Sequence, residues 1–165
     1  MKTTTLLNYA QDRWYEAPAG ARSPVFSAVT GEVVAETGSG GLDFAGMLDH
    51  ARKSGGPALR RLTFHERAWM LKDLANAVMA RKEELYELSY DTGATRTDGW
   101  IDIEGGAGTL FSFSSKGRRE LPNQRVLIDG AMEPLSRGGS FVGQHVFTPL
   151  QGVAVHINAF NFPVW

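Results

Sequence analysis

The chain has 165 residues, enough for one domain with a buried core or for a domain and the start of a second. It is 42% hydrophobic and 21% charged, which excludes a disordered tail, and 17 Lys plus Arg against 18 Asp plus Glu leave a formal charge of −1. Its only dense basic runs are Arg60-Arg61 and Lys116-Gly117-Arg118-Arg119, too few convergent cations to hold a phosphate backbone, so no nucleic acid partner is expected.

The absence of cysteine removes disulfides, thiolate metal sites and any cysteine nucleophile from this segment. His50, His65, His145 and His156 lack the spacing of a helical zinc motif, so no metal is expected. In the stretch from Met1 to Tyr9 the apolar part is two leucines long, too short for a signal peptide, and no run of about 18 apolar residues occurs anywhere. A cytoplasmic protein without membrane contact is the expectation.

Ser27 to Thr37 is β-forming and broken at Thr30-Gly31, which suits a hairpin. Asp43 is placed to cap a short helix with apolar positions Phe44, Met47, Leu48 and Ala51, ended by Ser54-Gly55-Gly56-Pro57. Thr63-Phe64-His65-Glu66 has the form of a capping box, in which hydroxyl and carboxylate each accept an otherwise unpaired backbone N–H. Behind it Ala68, Leu71, Leu74, Ala75, Val78 and Met79 make one apolar face, continued by Leu85 and Leu88 until Gly93. Two helices or one bent helix fit this pattern.

Thr97 or Asp98 is expected to start another helix, running past Trp100, Ile103, Ala107 and Leu110 to Ser114, although Gly105, Gly106 and Gly108 lie inside it. Each glycine costs about 1 kcal/mol of helix propensity relative to alanine, so a real helix here implies another element packed close to that face. A glycine-rich loop is the alternative.

Val126-Leu127-Ile128 and Ser140 to Phe147 read as strands, with turns around Asp129-Gly130 and Arg137-Gly138-Gly139. Neither face of the second strand is purely polar, which fits cover by a partner subunit or a sheet edge within the monomer. Gly152 to Ile157 is a continuous apolar run of the kind found in buried parallel strands. The chain then closes on Asn158-Ala159-Phe160-Asn161-Phe162-Pro163-Val164-Trp165; so much terminal apolar surface suggests truncation.

The segment from Gly152 to Pro163 resembles the aldehyde dehydrogenase motif G-V-V-x-x-I-x-P-W-N-F-P. Upstream, Thr30-Gly31-Glu32, Glu66-Arg67-Ala68 and Asp91-Thr92-Gly93 resemble further motifs of that family in the same order. Ala159 and Phe160 depart from its usual proline and tryptophan. Thr92 to Arg96, Trp100 to Gly106 and His156 to Pro163 resemble the dehydrogenase half of the bifunctional ring-opening enzymes of phenylacetate degradation. In that branch a C-terminal hydratase-like domain opens an oxepin-CoA ring, and the dehydrogenase oxidises the CoA-linked semialdehyde, typically with NADP.

The resemblance implies an α/β fold: the N-terminal fragment of an aldehyde dehydrogenase, with helices, an antiparallel ribbon and the first strand of a Rossmann-like dinucleotide domain. It implies a lead-in at 1–21, a helical part of the dinucleotide-binding region at 22–120, an oligomerisation ribbon at 121–150, and the first strand with the catalytic-asparagine loop at 151–165. The implied partners are a small aldehyde, a second copy of the chain through the ribbon, and the remainder of the dehydrogenase.

In the family a cysteine thiolate attacks the aldehyde, hydride passes to NAD or NADP, and a glutamate activates water against the thioester. Asn161 matches the residue that donates its amide N–H to the oxyanion, whereas read without the resemblance it is more readily a turn asparagine before Phe162-Pro163. Ile157, Asn158 and Phe160 match positions beside the adenosine and ribose of the cofactor; otherwise they are strand end and core. The cysteine, the glutamate, the cofactor-binding lysine and the glycine-rich turn lie beyond Trp165 in the family, so the segment is expected to be inactive alone. Gly38-Ser39-Gly40-Gly41 lacks the dinucleotide pattern. Asp102 and Glu104, two apart, are weak candidates for paired carboxylate chemistry. A non-catalytic assembly module on the same fold is the competing reading.

Overall fold

The computed structural model describes residues 4–165; Met1 to Thr3, the first residues of the expected lead-in, lie outside the described residues. A hairpin forms from β4 (Ser23–Phe26) and β5 (Val33–Thr37). Its first arm lies upstream of the expected Ser27, because the Ser27 hydroxyl accepts the N–H of Val29 and Thr30 and so takes that residue into the turn. Gly31, at φ 74°, closes the turn. β1 (Thr4–Thr5) adds in parallel to the other side of β5, giving the order β1-β5-β4. A second hairpin, β2 (Asn8–Ala10) with β3 (Arg13–Tyr15), turns on Gln11 and Asp12, both at positive φ.

Gly38 and Gly40 serve this region. A Cβ on Gly38 would lie 2.2 Å from the Ala21 carbonyl oxygen, while the carbonyls of Gly38 and Gly40 accept from Asn8 Nδ2 and Tyr15 Oη. The Gly38-Ser39-Gly40-Gly41 turn is thereby packed structure between the hairpins.

α1 (Phe44–His50) starts where the Asp43 carboxylate accepts the Gly46 N–H. It does not end at Ser54-Gly55-Gly56-Pro57. The chain widens into a π turn over Ala51–Gly55, in which the Gly56 N–H reaches the Ala51 carbonyl, and continues as α2 (Gly56–Arg61). Pro57 is tolerated because it falls in the first turn of α2.

α3 (Phe64–Ala80) and α4 (Lys82–Asp91) are two helices, broken at Arg81. The capping box forms as expected: Thr63 Oγ1 accepts the Glu66 N–H at 3.2 Å, and Glu66 Oε2 accepts the Thr63 N–H at 2.7 Å. Gly93, at φ 82°, ends α4. The glycine-rich stretch is helical, with its start corrected to α5 (Arg96–Trp100). Thr95 supplies the cap and Asp98 the returning carboxylate, a second capping box that places the start before Thr97. A π turn over Ile101–Gly105 joins α5 to α6 (Gly106–Glu120).

α3 and α6 form the main packing pair, and small residues set their separation. Ala68, Ala75, Ala107 and Ser114 are buried, and a Cβ on Gly117 would lie 3.1 Å from that of Ala68. His65 Nε2 bonds the Leu121 carbonyl and the Phe64 N–H reaches that of Gln124, tying the start of α3 to the segment after α6.

The ribbon consists of β6 (Leu127–Pro134) and β7 (Val142–Phe147), antiparallel. The expected turn at Asp129-Gly130 is instead an irregularity within β6, because Gly130, at φ 76°, opens a shift of register before Glu133; the chain reverses at 135–141. Ile128, Met132, Phe141, Val142, Val146 and Phe147 are exposed.

Gly152 to Ile157 differs most from expectation. It is extended but pairs with no strand among the described residues, and Val155 and Ile157 are 78% and 91% exposed. An apolar run becomes a buried strand only where neighbouring backbone completes its ladder; among the described residues none does, although Val153 and Ala154 line one cavity with Leu59, Phe64 and Phe147.

Candidate functional site

After Ile157 the chain makes a tight turn. Ala159 and Phe162 form an isolated antiparallel bridge, and the Phe162 N–H donates to the Ala159 carbonyl at 3.3 Å, leaving Phe160 and Asn161 at the tip. Both tip residues have negative φ. The turn therefore makes no demand for the left-handed conformation that asparagine tolerates better than other residues. Asn158 Nδ2 donates to the Pro163 carbonyl at 2.7 Å, closing the loop one residue outside the bridge on either side. Asn161 is exposed at the tip, and Phe160 beside it is 92% exposed.

The loop is anchored by its last two residues. Asp102, only 3% exposed, accepts the Trp165 N–H through Oδ1 at 2.7 Å and the Val164 N–H through both oxygens at 3.2 Å. The aspartate projects from the π turn between α5 and α6, an irregularity that recurs at functional sites because it redirects side chains. Gly105 and Gly106, on the next turn, make room for Trp165. A Cβ on Gly105 would come 2.7 Å from the indole Cζ3, and one on Gly106 would come 3.0 Å from Trp165 Cα. This is the close packing that glycine inside a helix implied.

Asp102 and Glu104 diverge, as their spacing suggested. Glu104 turns toward α4, where its Oε1 accepts from Tyr86 Oη at 2.8 Å and from Lys82 Nζ at 3.1 Å. The Tyr86 hydroxyl, followed by Lys82, holds the Glu104 carboxyl below the usual carboxylate range. Burial, followed by the hydrogen bond to Glu104, raises Tyr86 above the usual phenol value. Arg96 lies over the Tyr86 ring, 3.7 Å from its centroid.

Of the four candidate residues, the structure brings Asn158, Phe160 and Asn161 into one short loop, with Ile157 on the extended run leading to it. The partner that sequence reading passed over is Asp102. Its signal was a carboxylate between two isoleucines in the glycine-rich stretch Trp100-Ile101-Asp102-Ile103-Glu104-Gly105-Gly106, since an acid beside a buried residue such as Ile103 needs donors.

A helical layer, an antiparallel ribbon and an extended asparagine-bearing loop make up this mixed helix and strand fold. Residues 14–165 match the model of the aldehyde dehydrogenase family, and the chain belongs to that family of oxidoreductases. It is 40% identical over 161 residues, 97% of its length, to the 3,4-dehydroadipyl-CoA semialdehyde dehydrogenase of Aromatoleum evansii. The chain spans 31% of that relative's length. Among solved structures, a lactaldehyde dehydrogenase matches with a TM-score of 0.64 at 17% identity, covering 79% of this chain and 27% of its own. Betaine aldehyde dehydrogenase from Staphylococcus aureus, solved in complex with NAD+, matches at 0.59 and 15%, covering 74% and 24%. At these identities the structural matches establish that the chain forms part of the aldehyde dehydrogenase fold.

Proposed function

We propose that this chain is the N-terminal part of an NAD(P)-dependent aldehyde dehydrogenase that oxidises a CoA-linked aliphatic semialdehyde to the acid in aromatic, phenylacetate-type catabolism. The observation that carries this reading is the 40% identity, across nearly the whole chain, to a relative named for such a substrate. The segment contains no cysteine, so a thiolate nucleophile comes from residues outside these 165, and the segment is inactive alone. The remainder of the dehydrogenase completes the catalytic unit, and the ribbon at 121–150, with apolar side chains exposed on both strands, joins it to a second copy.

Asn161 is the oxyanion donor. A side-chain amide is neutral, keeps its N–H at every working pH, and is positioned by the loop before charge develops on the aldehyde oxygen. Its place at a turn tip that does not require asparagine supports a chemical over a conformational reason for the residue. Ile157, Asn158 and Phe160 hold the adenosine side of the cofactor. The residue types fit: Ile157 and Phe160 present exposed apolar surface to a flat ring, and Asn158, its amide nitrogen committed to Pro163, retains Oδ1 as an acceptor for a ribose hydroxyl. When bound, the nicotinamide accepts the hydride.

The test is single-turnover reduction of NAD or NADP by the complete gene product with a CoA-linked semialdehyde. Asn161→Ala lowers the rate of the chemical step by about 10²–10³-fold, the cost of one oxyanion donor, and leaves cofactor binding intact. An unchanged chemical step would remove the assignment.

A further inference from the structure

We infer that Asp102 is a positioning residue for Asn161, holding the asparagine loop in register with the helical layer; this rests on the oxyanion reading above. Trp165 also packs on Gly105 and Gly106, but the loop's other hydrogen bonds are internal. The Ala159–Phe162 turn and the Asn158–Pro163 bond fix its shape but do not place it on the rest of the molecule. Among the described residues, its hydrogen bonds to the helices are those to Asp102, made by Val164 and Trp165, three and four residues after Asn161. The Asp102 carboxyl is buried, and two backbone N–H groups of the loop supply its donors. The arrangement joins a rigid helical anchor to an exposed turn tip, which is what preorganising an oxyanion donor requires.

The geometry distinguishes two substitutions. Asp102→Ala removes every acceptor and releases Val164 and Trp165. Asp102→Asn can keep Oδ1, which serves both N–H groups, but sets an amide nitrogen where Oδ2 stood 3.2 Å from the Val164 nitrogen.

The experiment is a double-mutant cycle in the complete gene product. It follows the single-turnover rate of nicotinamide reduction, cofactor affinity and thermal midpoint for Asp102→Ala, Asn161→Ala and the pair. A displacement of about 1 Å at a reacting group costs about 10²-fold, and a loss of that order at saturating cofactor is expected for Asp102→Ala, with part of the rate restored in Asp102→Asn. The pair is expected to be no slower than Asn161→Ala alone, because a loop without its amide has nothing left to position.

Losses that multiply in full, or a normal chemical step in Asp102→Ala beside a slow Asn161→Ala, overturn the inference and leave the oxyanion reading standing. A normal chemical step in Asn161→Ala overturns the oxyanion reading itself. If Asp102→Ala does not fold, the same cycle with Asp102→Asn decides: non-multiplying losses support the inference, while multiplying losses or no loss overturn it.

Discussion

Trp165 Cα stands 3.0 Å from the place a Cβ on Gly106 would occupy, whereas a Cβ on Gly108, two residues further along the same helix, would meet nothing within 4 Å. Both glycines lie in α6, where alanine is intrinsically favoured by about 1 kcal/mol, so packing decides the sign of each substitution. Gly108→Ala is expected to raise the thermal midpoint of the complete gene product. Gly106→Ala is expected to lower it, since the neighbour that must yield is backbone. Equal effects from the two would show that Trp165 does not rest on the helix.

The Tyr86–Glu104 bond predicts stability changes at both ends of the pH scale. Glu104 titrates below its ordinary value when folded, so its contribution is present above the unfolded carboxyl value of about 4.3 and is lost as pH falls through the folded one. Tyr86 titrates higher when folded, so its contribution is complete below about pH 10 and is lost as pH rises through the folded value. Tyr86→Phe removes the largest cause of the Glu104 shift and the phenol itself. Denaturant midpoints measured across both ranges are expected to flatten in the variant, and an unaltered acid limb would show that Tyr86 does not stabilise the Glu104 charge.

Thr63 begins the longest helix in the chain and makes both halves of its capping box with Glu66. Thr63→Ala is expected to cost about 1 kcal/mol, while Thr63→Ser, which keeps the hydroxyl, costs much less. Denaturant unfolding of the two variants separates the cap from the β-branched methyl; equal losses would assign the effect to the methyl.

Most of what was legible is local chemistry, between groups that lie within a few residues of each other. The Asp43 cap, the Thr63–Glu66 box, the stop at Gly93 and the hairpin on Gly31 each rest on one or two nearby side chains or one positive φ. The second capping box escaped notice, although Thr95-Arg96-Thr97-Asp98 differs from the first only in using the shorter acid. The π turns were illegible because a one-residue widening of the helix has no capping or turn residue of its own to mark it. Asn161 was legible by resemblance, while its place at a turn tip came from the backbone.

By itself the sequence determined the helical layer, the ribbon and the family, because capping pairs, helical periodicity and ordered short motifs are written within short stretches of chain. Only the tertiary structure decided that Asp102 meets Trp165 and that Glu104 meets Tyr86, contacts made across 63 and 18 residues. It also showed that Gly152 to Ile157, apolar enough for a strand, pairs with no strand among the described residues. Residues distant in sequence are joined only by packing, and packing between α3 and α6 carries the π turn, and with it Asp102, to the end of the asparagine loop.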